Sequence, residues 1–241
     1  MSAGVVQQQD SRATSQQMAV QLRPSRSNTV RSLRVEQVSA RVVTNMITHK
    51  HYLRSMPTAA CACFAVYIDT ELHGAVVFAS GARHSHRLIV AGQPQQVVTL
   101  ARLWLSDDCP KNSESRVLGI VLRHLKREGR WKFILSYADP SAGHVGTIYQ
   151  ATGWLYLGQG ASSSYLDLGD GQLVHPRSAY EQLGSNAVRH LRRTGIAAIR
   201  RNMPGKYRYV YLLEPTWRWR MTAESFPYPH RQPVSTTATE S

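Results

Sequence analysis

The residues best equipped for chemistry crowd into one stretch, Ser136–Trp154, which reads SYADPSAGHVGTIYQATGW. Phe133, Ile134 and Leu135 lead into it as a strand. Asp139-Pro140 ends that strand, because the residue before a proline is pushed away from helical backbone. Ser141, Ala142 and Gly143 make a turn, and a helix is expected from about His144 to a stop at Gly153. Asp139 is placed to act as a general base or metal ligand, and Tyr149, one turn before the stop, to donate a proton or orient a base. Polar groups at the carboxyl end of a strand, facing a helix N-terminus, are a common active-site arrangement in α/β proteins. The plainer reading of the same residues is a turn-capping Asp, a packed Tyr and a capping His144.

Other candidates are scattered. His49, His51 and Tyr52 precede a hairpin. Arg102 falls inside a strand, alternating with Val98 and Leu100 on one face, where its charge needs a carboxylate or a bound anion. Ser136 and Tyr137 are expected to line the cleft, and Ser115 to contact a donor or cap its helix. A third set is electrostatic. Lys and Arg number 29 against 15 Asp and Glu, giving a net charge of +14 and a pI near 10.2. That excess favours a polyanionic partner, most simply nucleic acid. It is concentrated in Arg189, Arg192, Arg193, Arg200, Arg201, Lys206, Arg208, Arg218 and Arg220, with Glu214 the one acid between Asn186 and Arg220. Tyr207, Tyr209, Tyr211, Trp217 and Trp219 are interleaved. This reads either as a clamp on a duplex backbone or as a packed strand beside a solvated helix.

The elements that must position these groups follow the hydrophobic periodicity. Strands are expected at Leu33–Val38, Cys61–Ile68, His73–Ser80, Gln96–Leu105, Trp131–Tyr137, Trp154–Gly158 and Tyr207–Leu213, the second and third as a hairpin. Ser39 opens a helix through Val42, Val43, Met46 and Ile47. A second helix runs from about Ser113 to Glu128 on a stripe of Val117, Ile120, Val121 and Leu125, broadened by Leu118 and Leu122. Helical segments at His175–Gly184 and Asn186–Arg193 form a basic lobe over 175–204. The order implies an α/β fold with a mixed sheet and helices on its faces. Residues 1–31 read as a flexible polar arm carrying Arg23, Arg26 and Arg31, 32–215 as the folded domain and 216–241 as a C-terminal tail. Three cysteines are too few for a disulfide framework, and Cys61 and Cys63 are expected to share a strand face, so an intracellular protein is expected. No apolar run is long enough to span a membrane, and the N-terminus lacks a signal-peptide core.

Two segments carry a resemblance. TLARLWLSDDCPKNSESRVLGIVLRHLKR (Thr99–Arg127) and LSYADPSAGHVGTIYQATGWLYLG (Leu135–Gly158), with HYLRSMP upstream, closely resemble the Mom DNA-modification proteins of Mu-like phages. That family looks like a divergent branch of the GNAT acyltransferases, with the basic helical lobe inserted before the last strand. The resemblance implies that Gln96–Leu105 and Trp131–Tyr137 splay apart to admit a donor. Where GNAT enzymes carry a Gly-rich phosphate loop, this chain has Lys111–Arg116, from which Asn112, Ser113, Ser115 and Arg116 would hold the donor. The implied activity is conversion of the exocyclic amine of adenine in double-stranded DNA to an acetamido (carbamoylmethyl) derivative. That would shield phage DNA from restriction in the bacterial host cytoplasm. Asp139, Tyr149, His51 and Arg102 would form the catalytic set, with Arg189, Arg192, Arg193, Arg200, Arg201, Lys206 and Arg208 on the DNA. Iron, held by His49, His51 and Asp139, is a further expectation from the family. The donor is expected to be acetyl-CoA or a glycine-derived activated molecule. Oligomeric state stays open, a homodimer included. Two other classes compete: an ordinary GNAT N-acetyltransferase acting on protein or a small molecule, and a basic DNA-binding protein without catalysis.

Overall fold

The computed structural model describes residues 33–169 and 173–230. The arm at 1–31, with its three arginines, lies outside them. Strands β1 (Leu33–Val38), β2 (Ala60–Ile68), β3 (Glu71–Ser80), β4 (Val97–Leu105), β5 (Phe133–Ala138), β10 (Tyr207–Leu212) and β6 (Leu155–Gln159) form one sheet in the order β1-β2-β3-β4-β5-β10-β6. Every named pairing in it is antiparallel except β4 with β5. Helix α2 (Ser113–Glu128) buries Val117, Leu118, Val121, Leu122 and Leu125 against one face, in a core with Phe64, Phe78 and Ile134. Helix α1 (Ala40–Lys50) covers the other face with Val43 and Ile47 against Cys63, Ala65, Ala75 and Val77. The mixed α/β sheet expected from the periodicity is the one observed.

Two bulges set which face a side chain takes. In β4, Val77 pairs with Arg102 but Phe78 pairs with Leu100, so Ala101 is an extra residue. An extra residue reverses the alternation beyond it and increases the local twist. Leu100 therefore packs with the α2 core, whereas Arg102 stands opposite Val77 of the α1 core. This corrects the expectation that Val98, Leu100 and Arg102 share a face. A second irregularity between Ala60 and Ala62 puts Cys61 against the α2 core and Cys63 in the α1 core, so these two do not share a face either.

The parallel pairing of β4 with β5 lasts three residues, from Val97↔Phe133 to Thr99↔Leu135. Beyond it β4 stays with β3, and β5 stays with β10. The two strands therefore part at Leu100 and Ser136, and the expected splay is present.

The lobe differs from expectation. It is not helical alone. Between β6 and β10 the chain forms β7 (Ser163–Asp167), β8 (Leu173–Val174), helices α4 (Pro176–Leu183) and α5 (Val188–Arg193), and β9 (Ile199–Met203), with a separate sheet in the order β8-β7-β9. Its core is small: Leu166, Ala179, Leu191 and Ala198. The strand β9 gave no apolar alternation because Ile199–Asn202 are all exposed. The lobe's two connections cross at a neck. Gly160 donates to the Lys206 carbonyl, Gln159 Nε2 donates to the Gly205 carbonyl, and a Cβ at Gly205 would collide with the Gly160 backbone.

The expected C-terminal tail is corrected as far as residue 230, and 231–241 lie outside the described residues. Residues 215–230 pack back across the sheet: Met221 bridges Ile89, Phe226 bridges Tyr156, and the Tyr228 hydroxyl donates to the Trp154 carbonyl. No helix among the described residues is long and apolar enough to cross a membrane.

Candidate active site

The opening between β4 and β5 becomes a cleft of about 270 Å³, lined among others by His51, Tyr52, Arg102, Asp139, His144 and Tyr149. The four residues expected to form the catalytic set thus come together. His51 and Tyr52 arrive from the end of α1, Arg102 from β4, Asp139 from the end of β5, and Tyr149 from α3 (Thr147–Ala151). That helix is shorter than expected. Pro140–Ala142 form a single 3₁₀ turn, and Gly143 and Gly146 both take positive φ before Thr147. Gly146 has a packing reason as well, since a Cβ there would enter the Tyr209 ring. The Tyr209 hydroxyl donates to the Val145 carbonyl just beside it.

Tyr149 points into the fork. Ser136 Oγ lies 2.8 Å from the Tyr149 hydroxyl and 2.9 Å from the Leu100 carbonyl. A serine hydroxyl has one proton, so it can donate to the carbonyl while accepting from Tyr149, or turn and support the phenol oxygen. Burial pushes the Tyr149 phenol up to about 12. At neutral pH it holds its proton and is equipped to donate, not to abstract. Ser136 itself is buried behind Tyr149, whereas Tyr137 lines the cleft as expected.

His51 is buried and its pKa falls to about 4, because burial disfavours the imidazolium and Arg102 and His144 add like charge. The Leu53 backbone N–H donates to its Nδ1 at 3.1 Å. The neutral ring therefore carries its proton on Nε2. Among the described residues Arg102 pairs with no carboxylate, the first of its two expected partners. Its Nε donates to the Ser55 carbonyl at 2.9 Å, one terminal nitrogen to the Ala101 carbonyl at 2.7 Å, and the other to the Ser55 hydroxyl at 3.2 Å.

Asp139 is held from two sides. One oxygen accepts from the Ser141 N–H at 3.0 Å, and the other lies 3.2 Å from Lys206 Nζ. The register explains the ion pair. Ala138 pairs with Tyr207 in antiparallel strands, so the next positions outward, Asp139 and Lys206, face each other. Lys206, expected on DNA, makes this ion pair in the cleft. Sequence reasoning missed the pair because it needs the β5–β10 register.

The expected iron set does not assemble. His49 does not line the cleft, and its Nδ1 is 2.8 Å from the Asn45 carbonyl on exposed α1. With its Nδ1 accepting from Leu53, His51 offers no lone pair at Nε2 while neutral. No group of three His, Cys, Asp or Glu among the described residues is arranged to hold a metal ion.

A second cleft, of about 570 Å³, continues past Leu103, Thr147 and Ile148 to the start of α2. Asn112 and Ser115 line it, with Lys111, Asp107 and Glu114. Asn112 takes a left-handed backbone as N-cap, and its side chain makes no capping bond. Ser113 and Arg116 were expected here and do not line it: Ser113 is buried with its hydroxyl on the Pro110 carbonyl, and Arg116 is exposed.

The expected DNA residues divide. Arg189 and Arg193 are exposed and make no ion pair among the described residues. Arg192 and Arg200 are exposed but hydrogen-bonded to the Ala198 and Asn186 carbonyls, and Arg201 pairs with Asp167 at 3.3 Å. Arg208 is half-buried, with one terminal nitrogen donating to the Leu157 carbonyl. The interleaved tyrosines are core: Tyr209 is fully buried, with Tyr207 and Tyr211 packed beside it.

The model of the Mom protein family matches residues 32–230. The methylcarbamoylase Mom of Escherichia phage Mu is 30% identical to this chain over 209 residues, covering 83% of this chain and 84% of that protein. Among solved structures, a spermidine N-acetyltransferase from Vibrio cholerae in complex with CoA and spermine aligns at 8% identity. Its TM-score is 0.43, covering 76% of this chain and 96% of that one. Arabidopsis thaliana NAA60 in complex with acetyl-CoA also aligns at 8% identity, with a TM-score of 0.45, covering 75% of this chain and 99% of that one. These two likenesses are too distant to bear on what the clefts bind.

Proposed function

Because the chain belongs to the Mom protein family, we propose that it is a transferase that modifies adenine in double-stranded DNA. The product is the carbamoylmethyl derivative of the exocyclic amine, and the role is protection of phage DNA from restriction in a bacterial host. The observation that carries this reading is the convergence of His51, Arg102, Asp139 and Tyr149 on one cleft where β4 and β5 part.

The amine of adenine is a weak nucleophile, since its lone pair is delocalised into the ring. A new N–C bond therefore requires loss of an N–H proton as attack proceeds. Asp139 is the carboxylate within reach, fixed by Ser141 and Lys206 so that no reorganisation is needed at the moment of reaction. The carbon that joins nitrogen in this product is a methylene, so the donor must carry its leaving group on that carbon. A glycine-derived activated donor meets this atom count, whereas simple acyl transfer from acetyl-CoA would attach the carbonyl carbon. The donor occupies the second cleft, against Asn112 and Ser115. Tyr149, protonated at neutral pH, gives its proton to the departing group, and Ser136 turns to support the phenol oxygen left behind. His51 Nε2–H and Arg102 present fixed positive ends to charge that develops in the cleft. Exposed Arg189 and Arg193 hold the duplex by its phosphates.

The test is direct. The gene is expressed in a bacterium, total DNA is digested to nucleosides, and deoxyadenosine bearing an acetamido group is sought by mass spectrometry. Unmodified DNA from cells holding folded protein counts against the reading. Acetylation of protein or small amines without DNA would point to an ordinary acetyltransferase.

A further inference from the structure

A third cavity, of about 310 Å³, lies between the lobe and the main sheet. It shares Tyr52 and Asp139 with the Tyr149 cleft, so the two spaces meet at the Asp139 carboxylate. Its outer wall is the inner face of the small sheet. Alternation along β7 sends Leu166 into the lobe core and leaves Tyr165 on the opposite face. Cross-strand partners share a face, so Met203 (opposite Ser163) and Arg201 (opposite Tyr165) lie on that side too. The cavity is thus walled by Tyr52, Tyr165, Met203 and Pro204, with Asp139 and Lys206 on its floor. Flat, apolar and aromatic walls around one carboxylate–ammonium pair suit a planar heterocycle with a polar edge.

We propose that this cavity receives the extruded adenine, and that the Asp139–Lys206 pair reads its amino edge. The proposal rests on the DNA-modification reading above and names the subsite that reading leaves open. On that edge adenine presents an amino donor beside the N7 acceptor. Asp139 supplies the acceptor and Lys206 the donor, set side by side at 3.2 Å. Guanine presents O6 beside N7, two acceptors, which would set an oxygen against the carboxylate. With its amine on Asp139, the base stands at the mouth of the Tyr149 cleft, where the donor carbon arrives. The connection to the duplex is structural as well. The strand β9 that supplies Met203 to the wall also carries Arg200 and Arg201, so the lobe brings guanidinium charge beside the cavity.

The test fills the cavity from two independent elements, with Met203→Trp on β9 and Leu53→Trp after α1, in full-length protein checked by thermal unfolding. Modified deoxyadenosine should fall roughly 100-fold in each, because displacing a reacting base by about an ångström costs that much. Affinity for a labelled random-sequence duplex should stay within about two-fold, since phosphate contacts supply it. Full modification by either folded variant overturns the pocket while leaving the parent reading intact. An unmodified product from the wild type overturns both. Should the variants fail to fold, wild-type protein is photocrosslinked to a duplex bearing 8-azidodeoxyadenosine. Crosslinks at Tyr52, Tyr165 or Met203 support the pocket, and crosslinks confined to other peptides overturn it.

Discussion

The fork in the main sheet and the lobe that overhangs it are built on opposite terms. At the fork four polar side chains of the cleft and its floor are tied down. Ser136 touches two oxygens, Asp139 is gripped by Ser141 and Lys206, Arg102 spends its nitrogens on Ser55 and Ala101, and His51 accepts from Leu53. Behind them lies a core of more than twenty buried residues. Among the described residues the lobe has four buried core side chains and a narrow neck, and Arg189 and Arg193 are exposed with no ion pair. Groups that must be placed to within a fraction of an ångström are held by a rigid body, whereas groups that meet a repeating phosphate backbone need only charge and reach. Chemistry and grip should therefore be separable by mutation.

The strongest way to break that division is Tyr149→Phe. The ring still packs on Trp154 and Tyr209, so folding and duplex affinity should persist while the modification rate falls by about 10²–10⁴-fold, the usual worth of a positioned acid. Unchanged product by mass spectrometry would remove Tyr149 from the chemistry. The opposite experiment is Arg189→Ala with Arg193→Ala. Removing each phosphate-binding arginine should lower the slope of log affinity against log salt by about 0.9, so the double variant should lower it by about 2. Turnover at saturating duplex should not change. A salt slope equal to wild type would place the duplex elsewhere.

The smallest effect sharpens the account of the fork itself. Unfolded, His51 binds a proton near its ordinary value of 6.5, and folded it does so near 4. Between those values the unfolded chain holds more protons, so this residue's contribution to stability is complete above about 6.5 and is lost as pH falls towards 4. Over that window wild type should lose up to about 3 kcal/mol more than His51→Gln, with a slope near 1.4 kcal/mol per pH unit. Parallel denaturation curves for the two proteins would mean that His51 is not held neutral by its surroundings.

Much of the fork was legible in the sequence, and the reasons are local. Strands such as Ala60–Ile68 and the α2 stripe show clear apolar periods, and Asp139-Pro140 marks a strand end by its own chemistry. What failed to show was whatever depends on pairing. The bulge at Ala101 sends Arg102 to the α1 face, and nothing in VVTLARLWL records that extra residue. The Asp139–Lys206 contact joins positions far apart in the chain through the β5–β10 register. The exposed β9, IRRNM, has no buried side to produce alternation and is held by β7. Metal ligation by His51 also looked open from residue type alone, and the Leu53 N–H on Nδ1 and the distant placing of His49 tell against it.

The returning segment at Phe226–Tyr228 has one more effect. β6 is an outermost strand of the large sheet, and a bare outermost strand offers its amides to any passing extended chain. Phe226 N–H takes the Tyr156 carbonyl at 2.8 Å, and its ring lies over Gly158. The protein thereby lays residues 226–228 along that rim, as a selvedge is turned to keep cloth from unravelling, and leaves little there for a neighbour to zip onto.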